Sequence, residues 1–285
     1  MAMPFLMRLP TMCIPSRKTI LQLVTAVAIG YAGLTLLLLA FEDRLLFHPA
    51  RASDRWIEPP TSSAFQDINL RTADGTMVHG RWWPCAGSKQ TVLYCHSRTG
   101  NLGLALPSTA IADWQREIGA SLFIFDYPGY GRSKGSPSEA GCYAAADAAY
   151  DWLVHSQGIT PERITLFGES LGGGVATDLA LRRSHRALVL AKTFTSIPDM
   201  ARTRLLTSAS ASLVHNSFDN LSKIDRCPGP IFIAHGDHDR LIPLPQSQQL
   251  YQRAPEPKRF FFLKSCDHND PYPPEFFTAL AQFLK

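Results

Sequence analysis

The sequence predicts an α/β protein: one mostly parallel, eight-stranded sheet with helices on both faces, preceded by a single apolar helix. Three observations carry this. Short apolar runs alternate with helix-compatible stretches from about residue 65 to the end. One of those runs, Ile164 to Phe167, meets Gly168-Glu-Ser-Leu-Gly172 with no turn spacer and continues into a Gly/Ala-rich helical stretch. Thr19 to Phe41 contains no charged residue at all.

The amino end divides by charge. Residues 1–18 form a short basic tail with Arg8, Arg17 and Lys18 and no acid. As a helix, residues 19–41 measure about 35 Å, enough to cross a hydrocarbon core of about 30 Å. No polar stripe runs along it, as a soluble core helix would require. A cleaved signal peptide is the rival reading. Its apolar region is usually shorter and ends in a small-residue cleavage site. Here Glu42-Asp43-Arg44 follows Phe41 directly, which favours an uncleaved transmembrane anchor. Arg17 and Lys18 abut the amino end, whereas Arg44, Arg51 and Arg55 follow the other. The count is nearly balanced. Clustering at the chain start favours a cytosolic amino terminus, with the large domain on the non-cytosolic side, in a periplasm or lumen.

Residues 42–63 read as a membrane-proximal connector broken by Pro49, Pro59 and Pro60. The main domain is expected over 64–285. Phe65 to Arg71 and Met77 to Trp83 form a hairpin around the turn Ala73 to Thr76. Strands follow at Thr91 to Cys95, Ser121 to Phe125, Arg163 to Phe167, Ala187 to Ala191, Ile231 to Ala234 and Arg259 to Leu263. Helices are expected at Leu104 to Ile118, Ser138 to His155, after Ser170, at Pro245 to Arg253 and at Pro274 to Leu284. Residues 192–230 carry no strand signal and sit where a cap insertion would cover a site.

Composition excludes several functions. With 45% hydrophobic residues the chain builds a sizeable core, and a net charge of +4 without a dense basic run argues against nucleic-acid binding. Cysteines at 13, 85, 95, 142, 227 and 266 show neither C-x-x-C nor metal-ligand spacing, so buried free thiols are expected.

The elbow at 168–172 places Ser170 on a strained strand-to-helix turn that tolerates only small neighbours. A serine hydroxyl becomes a nucleophile only when a base takes its proton and an acid orients that base. On a parallel sheet these groups come from loops at the carboxyl ends of strands. Of nine histidines, His48 precedes the domain, His79 lies in a hairpin strand, His155, His185 and His215 do not follow strands, and His96 precedes the serine. His268, after the strand ending at Leu263 and beyond the acid candidates, remains as base. The acid must come from 235–243, HGDHDRLIP, where Asp237 and Asp239 both qualify. The oxyanion needs two backbone N–H donors: Leu171, next after the serine, and one from His96 to Gly100. His96 itself reads as a packed strand-end residue. Asp126, Tyr127, Gly129 and Gly131 read as a turn tying down a strand end, and Glu169 as a buried hydrogen-bonded partner.

Together these segments resemble the alpha/beta-hydrolase superfamily. More narrowly they resemble its membrane-anchored group of lysophospholipase-like enzymes and protein depalmitoylases. The carriers are RLLFHP at 44–49, HSRTGN at 96–101, DYPGYGRSKG at 126–135, GESLGGG at 168–174, FTSIPDMA at 194–201, HGDHDRLIP and DHND at 267–270. The resemblance spans about Glu42 to Lys285. It implies the alpha/beta-hydrolase fold, Ser170 as nucleophile, His268 as base and, from the family's acid position, Asp239 rather than Asp237. The family usually has Gly and Asn where this chain has Ser97 and Arg98. Backbone donation survives that change, so Arg98 N–H is the expected second oxyanion donor. Its guanidinium would attract an anionic substrate group, unless it points away into solvent.

The expectation is a serine hydrolase cleaving acyl ester or thioester bonds, without metal or cofactor. Its substrate would be an acyl-containing small molecule, a lipid or an acylated protein. A peptidase or amidase on the same fold, and a non-catalytic membrane-anchored binding platform, are the alternatives.

Overall fold

A strand that lies between two helical layers must be apolar on both faces, and the segment Ile164–Glu169 meets that demand over five buried residues. In a computed structural model of the chain it is a central strand of an eight-stranded sheet. The structure describes residues 16–58, 64–105, 108–203 and 211–285. Arg8, Cys13, Pro59, Pro60 and part of the expected cap, 204–210, lie outside the described residues.

The chain forms two units, divided after Phe41. The first contains helix α1 (Arg17–Ala40), capped by the Ser16 hydroxyl, which accepts from Thr19 N–H at 3.2 Å. Its mean hydropathy is 2.2 and none of it is buried, so by length and composition it is a candidate membrane span.

The second unit begins with α2 (Glu42–Leu46) and the short strand β1 (His48–Pro49). The hairpin β2 (Gln66–Arg71) and β3 (Met77–Trp83) follows, then β4 (Gln90–Cys95) and β5 (Thr99–Gly100). Next come α3 (Leu102–Ala105), α4 (Ser108–Asp113), β6 (Ala120–Phe125), α5 (Glu139–Asp151) and β7 (Ile164–Glu169). The last part holds α6 (Leu171–Arg182), β8 (Ala187–Ala191), α7 (Ile197–Arg202), β9 (Ile231–Gly236), α8 (Leu244–Arg253), β10 (Lys258–Leu263) and α9 (Pro274–Phe283). The sheet order is β10-β9-β8-β7-β4-β6-β3-β2. Only the β2–β3 and β3–β6 pairs are antiparallel. From β4 the chain steps outward to β6, then crosses back over β4 to β7 and runs outward the other way. The strand order therefore reverses between β4 and β7, where a parallel sheet opens a crevice at its carboxyl edge.

Side chains alternate between two cores. Leu93, Phe123 and Leu166 face one layer with Ala145, Val175 and Leu250; Tyr94, Ile124 and Phe167 face the other with Trp114, Phe276 and Leu280. Two expected helices end in a wider turn rather than a regular one. The described part of the stretch from Leu104 is helical in α3 and α4 and ends in a wider turn at Trp114–Ile118 that stops at Gly119, φ 66°. Likewise α5 gives way to a wider turn at Trp152–Ser156.

The expected connector is not a tether. Phe47 is buried, with its ring 6.2 Å from that of Phe218. His48 and Pro49 pair in parallel with Thr99 and Gly100, so His48 does not precede the domain but is built into it. Asn101 Nδ2 donates to the carbonyls of Ala50 and Arg55 at 2.9 and 2.8 Å. The carboxylate of Glu42 accepts the backbone N–H groups of His215 and Asn216. Among the described residues of 192–230 there is no strand, and α7 is the only α-helix. The five described cysteines are free thiols.

Replacing Phe47 by Ala removes a fully buried ring and should destabilise the second unit by about 3 kcal/mol or more. Leu45→Ala, at an exposed position, should change it by less than about 0.5 kcal/mol. Chemical denaturation of the two variants checks this.

Candidate active site

The elbow is fixed by close backbone approach and by one side chain, that of Thr193. β7 ends at Glu169 and α6 starts at Leu171, leaving Ser170 between them at φ 54°, ψ −116°. A non-glycine residue there is strained by about 1–3 kcal/mol and persists only where its surroundings hold it. They do. Ser170 N–H donates to Ala191 O at 3.0 Å, and Ser170 O accepts from Gly173 N–H at 2.9 Å and Thr193 Oγ1 at 2.7 Å. A Cβ on Gly168 would lie 2.3 Å from Gly172 O, and one on Gly172 would lie 1.9 Å from Cys95 O. One on Gly173 would lie 2.2 Å from Thr193 Oγ1. No side chain fits at these three positions.

The structure brings His268 to this serine. Its Nε2 lies 3.0 Å from Ser170 Oγ, and its Nδ1 lies 2.7 Å from Asp239 Oδ2. A carboxylate only accepts, so Nδ1 carries the proton and Nε2 presents a lone pair to the serine hydroxyl. The loop after β9 holds Asp239 by two backbone bonds, from Leu241 N–H at 2.9 Å and Ile242 N–H at 2.8 Å to Oδ1. The loop after β10 is tied to it through Asp267, which accepts Arg240 N–H at 3.0 Å and His268 N–H at 2.7 Å. Ser170, His268 and Asp239 are all buried or nearly so.

Asp237, the other acid candidate, is not beside His268. It accepts from Ser265 N–H at 2.6 Å and pairs with His238 at 2.9 Å on the exposed side of the loop.

The loop after β4 lies directly against the elbow, since the carbonyls of Cys95 and His96 are what a Cβ on Gly172 would strike. Its peptides are clamped. Tyr127 OH donates to His96 O and Tyr130 OH to Arg98 O, both at 2.7 Å. His96 Nδ1 donates to Ser97 O at 2.7 Å, which orients the peptide carrying Arg98 N–H. Burial pushes the His96 pKa down, against the upward pull of Asp126 and of the Ser97 bond, so the ring is a neutral donor at pH 7. Leu171 is the first residue of α6, where an N–H has no intrahelical acceptor. The Arg98 guanidinium donates to Leu45 O at 3.1 Å, a structural bond to α2.

The Asp126 turn ties strand ends together as expected: fully buried Asp126 accepts Leu102 N–H at 2.7 Å, and Gly129 and Gly131 take φ of 82° and 49°. Glu169 is a hydrogen-bonded partner, accepting from Tyr94 OH at 2.5 Å and Tyr272 OH at 2.8 Å. Two residues escape the sequence reading. His235 is buried at the end of β9, with Nε2 donating to Ile242 O at 2.9 Å and Nδ1 2.6 Å from Ser247 Oγ; it braces the turn that presents Asp239. Lys192 is buried directly after β8 and donates to Asp270 O at 2.5 Å. Their only sequence signal is a position at the carboxyl end of a strand.

Burial raises the Asp239 pKa, but the His268 bond, the Ile242 N–H and the charges of His268 and His235 outweigh it, so the net shift is downward. A carboxyl with a lowered folded pKa stabilises the fold above its unfolded value, about 3.9, and loses that contribution as pH falls through the folded value. Wild type should therefore exceed Asp239→Asn in stability at pH 7, with the gap closing below about pH 4. Urea denaturation of both across pH 3 to 7 measures it.

A family model described as alpha/beta hydrolase fold matches residues 90–207. The uncharacterized protein Rv2307c of Mycobacterium tuberculosis is 33% identical over 256 residues, covering 88% of this chain and 89% of that protein. Protein bem46 of Schizosaccharomyces pombe is 30% identical over 277 residues, 92% of this chain and 89% of its own. Among solved structures, the esterase PF2001 of Pyrococcus furiosus superposes with a TM-score of 0.69 at 19% identity, covering 84% of this chain and 97% of that one. The last likeness is one of fold. With its reversed strand order, its glycine-lined elbow and relatives matched over nearly their whole length, the chain belongs to the alpha/beta-hydrolase family.

Proposed function

We propose that the chain is a membrane-anchored serine hydrolase that cleaves acyl ester or thioester bonds through an acyl-enzyme. The observation that carries this reading is the line from Ser170 Oγ to His268 Nε2, 3.0 Å, and from His268 Nδ1 to Asp239, 2.7 Å. Ser170 attacks the acyl carbonyl as His268 takes its proton. Asp239 holds the imidazole in the required tautomer and stabilises the imidazolium. The Leu171 and Arg98 N–H groups receive the developing oxyanion. The imidazolium then protonates the departing alcohol or thiol, and water, deprotonated by the same ring, releases the acid.

The acyl-lipid or acyl-protein substrate class follows from where the membrane anchor meets the domain. Only eight positions separate Ala40, the last residue of α1, from His48, which pairs with the loop bearing Arg98. Eight residues reach at most about 28 Å. With α1 across a bilayer, the oxyanion loop stays near its surface. Arg17 and Lys18 at the amino end of α1 favour a cytosolic tail and a domain on the opposite side.

A fluorophosphonate probe should label the wild type and fail to label Ser170→Ala. Asp239→Asn should lower kcat by about 10⁴-fold, because the neutral amide selects the wrong tautomer. Asp237→Asn should stay within about threefold of wild type. Long-chain thioesters and esters presented in vesicles should turn over faster than matched amides. Faster amide cleavage would replace this reading with a peptidase, and an unlabelled, folded wild type would replace it with a binding platform.

A further inference from the structure

Behind the nucleophile lies a half-buried charge cluster that the proposed reaction does not use. Glu169 is next to Ser170 and is held by the hydroxyls of Tyr94 and Tyr272. Lys192 follows β8, the strand beside β7, with φ 50° and its N–H donating to Ala234 O at 2.8 Å. Its side chain, 1% exposed, reaches the loop after β10. There Nζ donates to the carbonyl of Asp270, two residues past His268, and rests 4.8 Å from the centre of the Tyr272 ring. Tyr272 thus offers its hydroxyl to the carboxylate and its ring face to the ammonium. The next residue after Lys192, Thr193, donates to Ser170 O. These contacts link the strand ends at 169 and 192 to the loop that carries His268.

Resting on the reading of Ser170 and His268 given above, we propose that Lys192 is a positioning residue for His268 and Glu169 its counter-charge. The pair, joined through Tyr272, clamps the base's loop to the nucleophile's elbow.

An ammonium at this depth is costly unless a negative group answers it. Burial lowers the Lys192 pKa, and Glu169 is the foremost group opposing that shift, ahead of Cys266, Asp239 and Asp270. Burial, then Glu169, keeps the Tyr272 pKa well above its usual value, so its hydroxyl remains a donor. Around the cluster, Glu169 is faced by Tyr94, Tyr272, His96 and Lys192. His268 is faced by Asp239, Ser170, His235 and Asp267. The charge of Lys192 also reaches His235 and Asp239.

Loss of the Asp270 bond should lower the kcat of Lys192→Met by about 10- to 100-fold, with KM within about twofold. Glu169→Gln, nearly isosteric, removes the counter-charge and should also lower kcat with KM within about twofold. Because both changes break one clamp, the double variant should lose less than the product of the two single losses. A merely space-filling role predicts lower stability with kcat unchanged. A kcat within about twofold of wild type in both single variants, or losses that simply multiply, overturn the proposal. Should Lys192→Met fail to fold, Glu169→Gln decides alone: an unchanged kcat overturns it. Fluorophosphonate labelling of wild type is run alongside. An unlabelled wild type rejects the hydrolase reading itself, whereas a labelled wild type with unchanged kcat in the variants rejects only the clamp.

Discussion

The approach of Gly172 to the Cys95 carbonyl is the contact on which the site depends. A Cβ would stand 1.9 Å from that oxygen, so the first turn of α6 and the loop after β4 touch backbone to backbone. This contact lies where the strand order reverses, between the carboxyl ends of β4 and β7. It fixes the spacing between two peptide segments before any side chain is considered. The strained Ser170 backbone follows from the same constraint. A strand must become a helix within one residue, and the helix cannot retreat from the sheet without breaking the bonds at Ser170 O.

Around that contact the structure fixes its parts by two different means. The backbone of the elbow and of the β4 loop is held mostly by bonds that involve no carboxylate: backbone amides, tyrosine hydroxyls at His96 O and Arg98 O, a neutral His96, and the Arg98 guanidinium at Leu45 O. His268 is held by charge. His268 leans on Asp239, its backbone on Asp267, and Asp267 on Arg240. Neutral bonds are indifferent to pH over the working range, whereas the carboxylates lose their hold on protonation. Acid should therefore loosen the loop of His268 before it disturbs the backbone bonds of the elbow.

The parallel strands were legible because buried strands leave apolar runs, and the hairpin because two strand-like stretches flank a turn. Ser170 was legible because the elbow needs glycine at fixed spacings, which a sequence displays. His268 emerged by elimination, since few histidines follow strands. Asp237 and Asp239 could not be separated by spacing. What separates them is a turn in which Asp239 accepts two N–H groups while Asp237 faces outward, and a turn's direction leaves no mark in composition. The role of residues 42–58 was hidden for a related reason. Their fit rests on one buried ring, Phe47, and on backbone pairing by His48 and Pro49, which any sequence can make. Lys192 was hidden because a lysine in sequence reads as surface; only the fold shows the carboxylate waiting 23 positions earlier.

The segment after the apolar helix adds a last constraint. Glu42 binds the backbone at 215–216, Leu45 O receives Arg98, and His48 and Pro49 pair with Thr99 and Gly100. One short stretch thus touches both the loop that bears Arg98 and the stretch that follows α7. The Arg98 side chain, directed to Leu45 O, serves that junction. A departure from the family's usual Gly-Asn is then intelligible without invoking substrate charge. Glycine at 97 and asparagine at 98 would keep the peptides that Tyr127, Tyr130 and His96 hold, but would lose the guanidinium bond to α2. In this chain the loop is braced by α2 through a side chain, so the brace consumes none of the loop's backbone N–H groups.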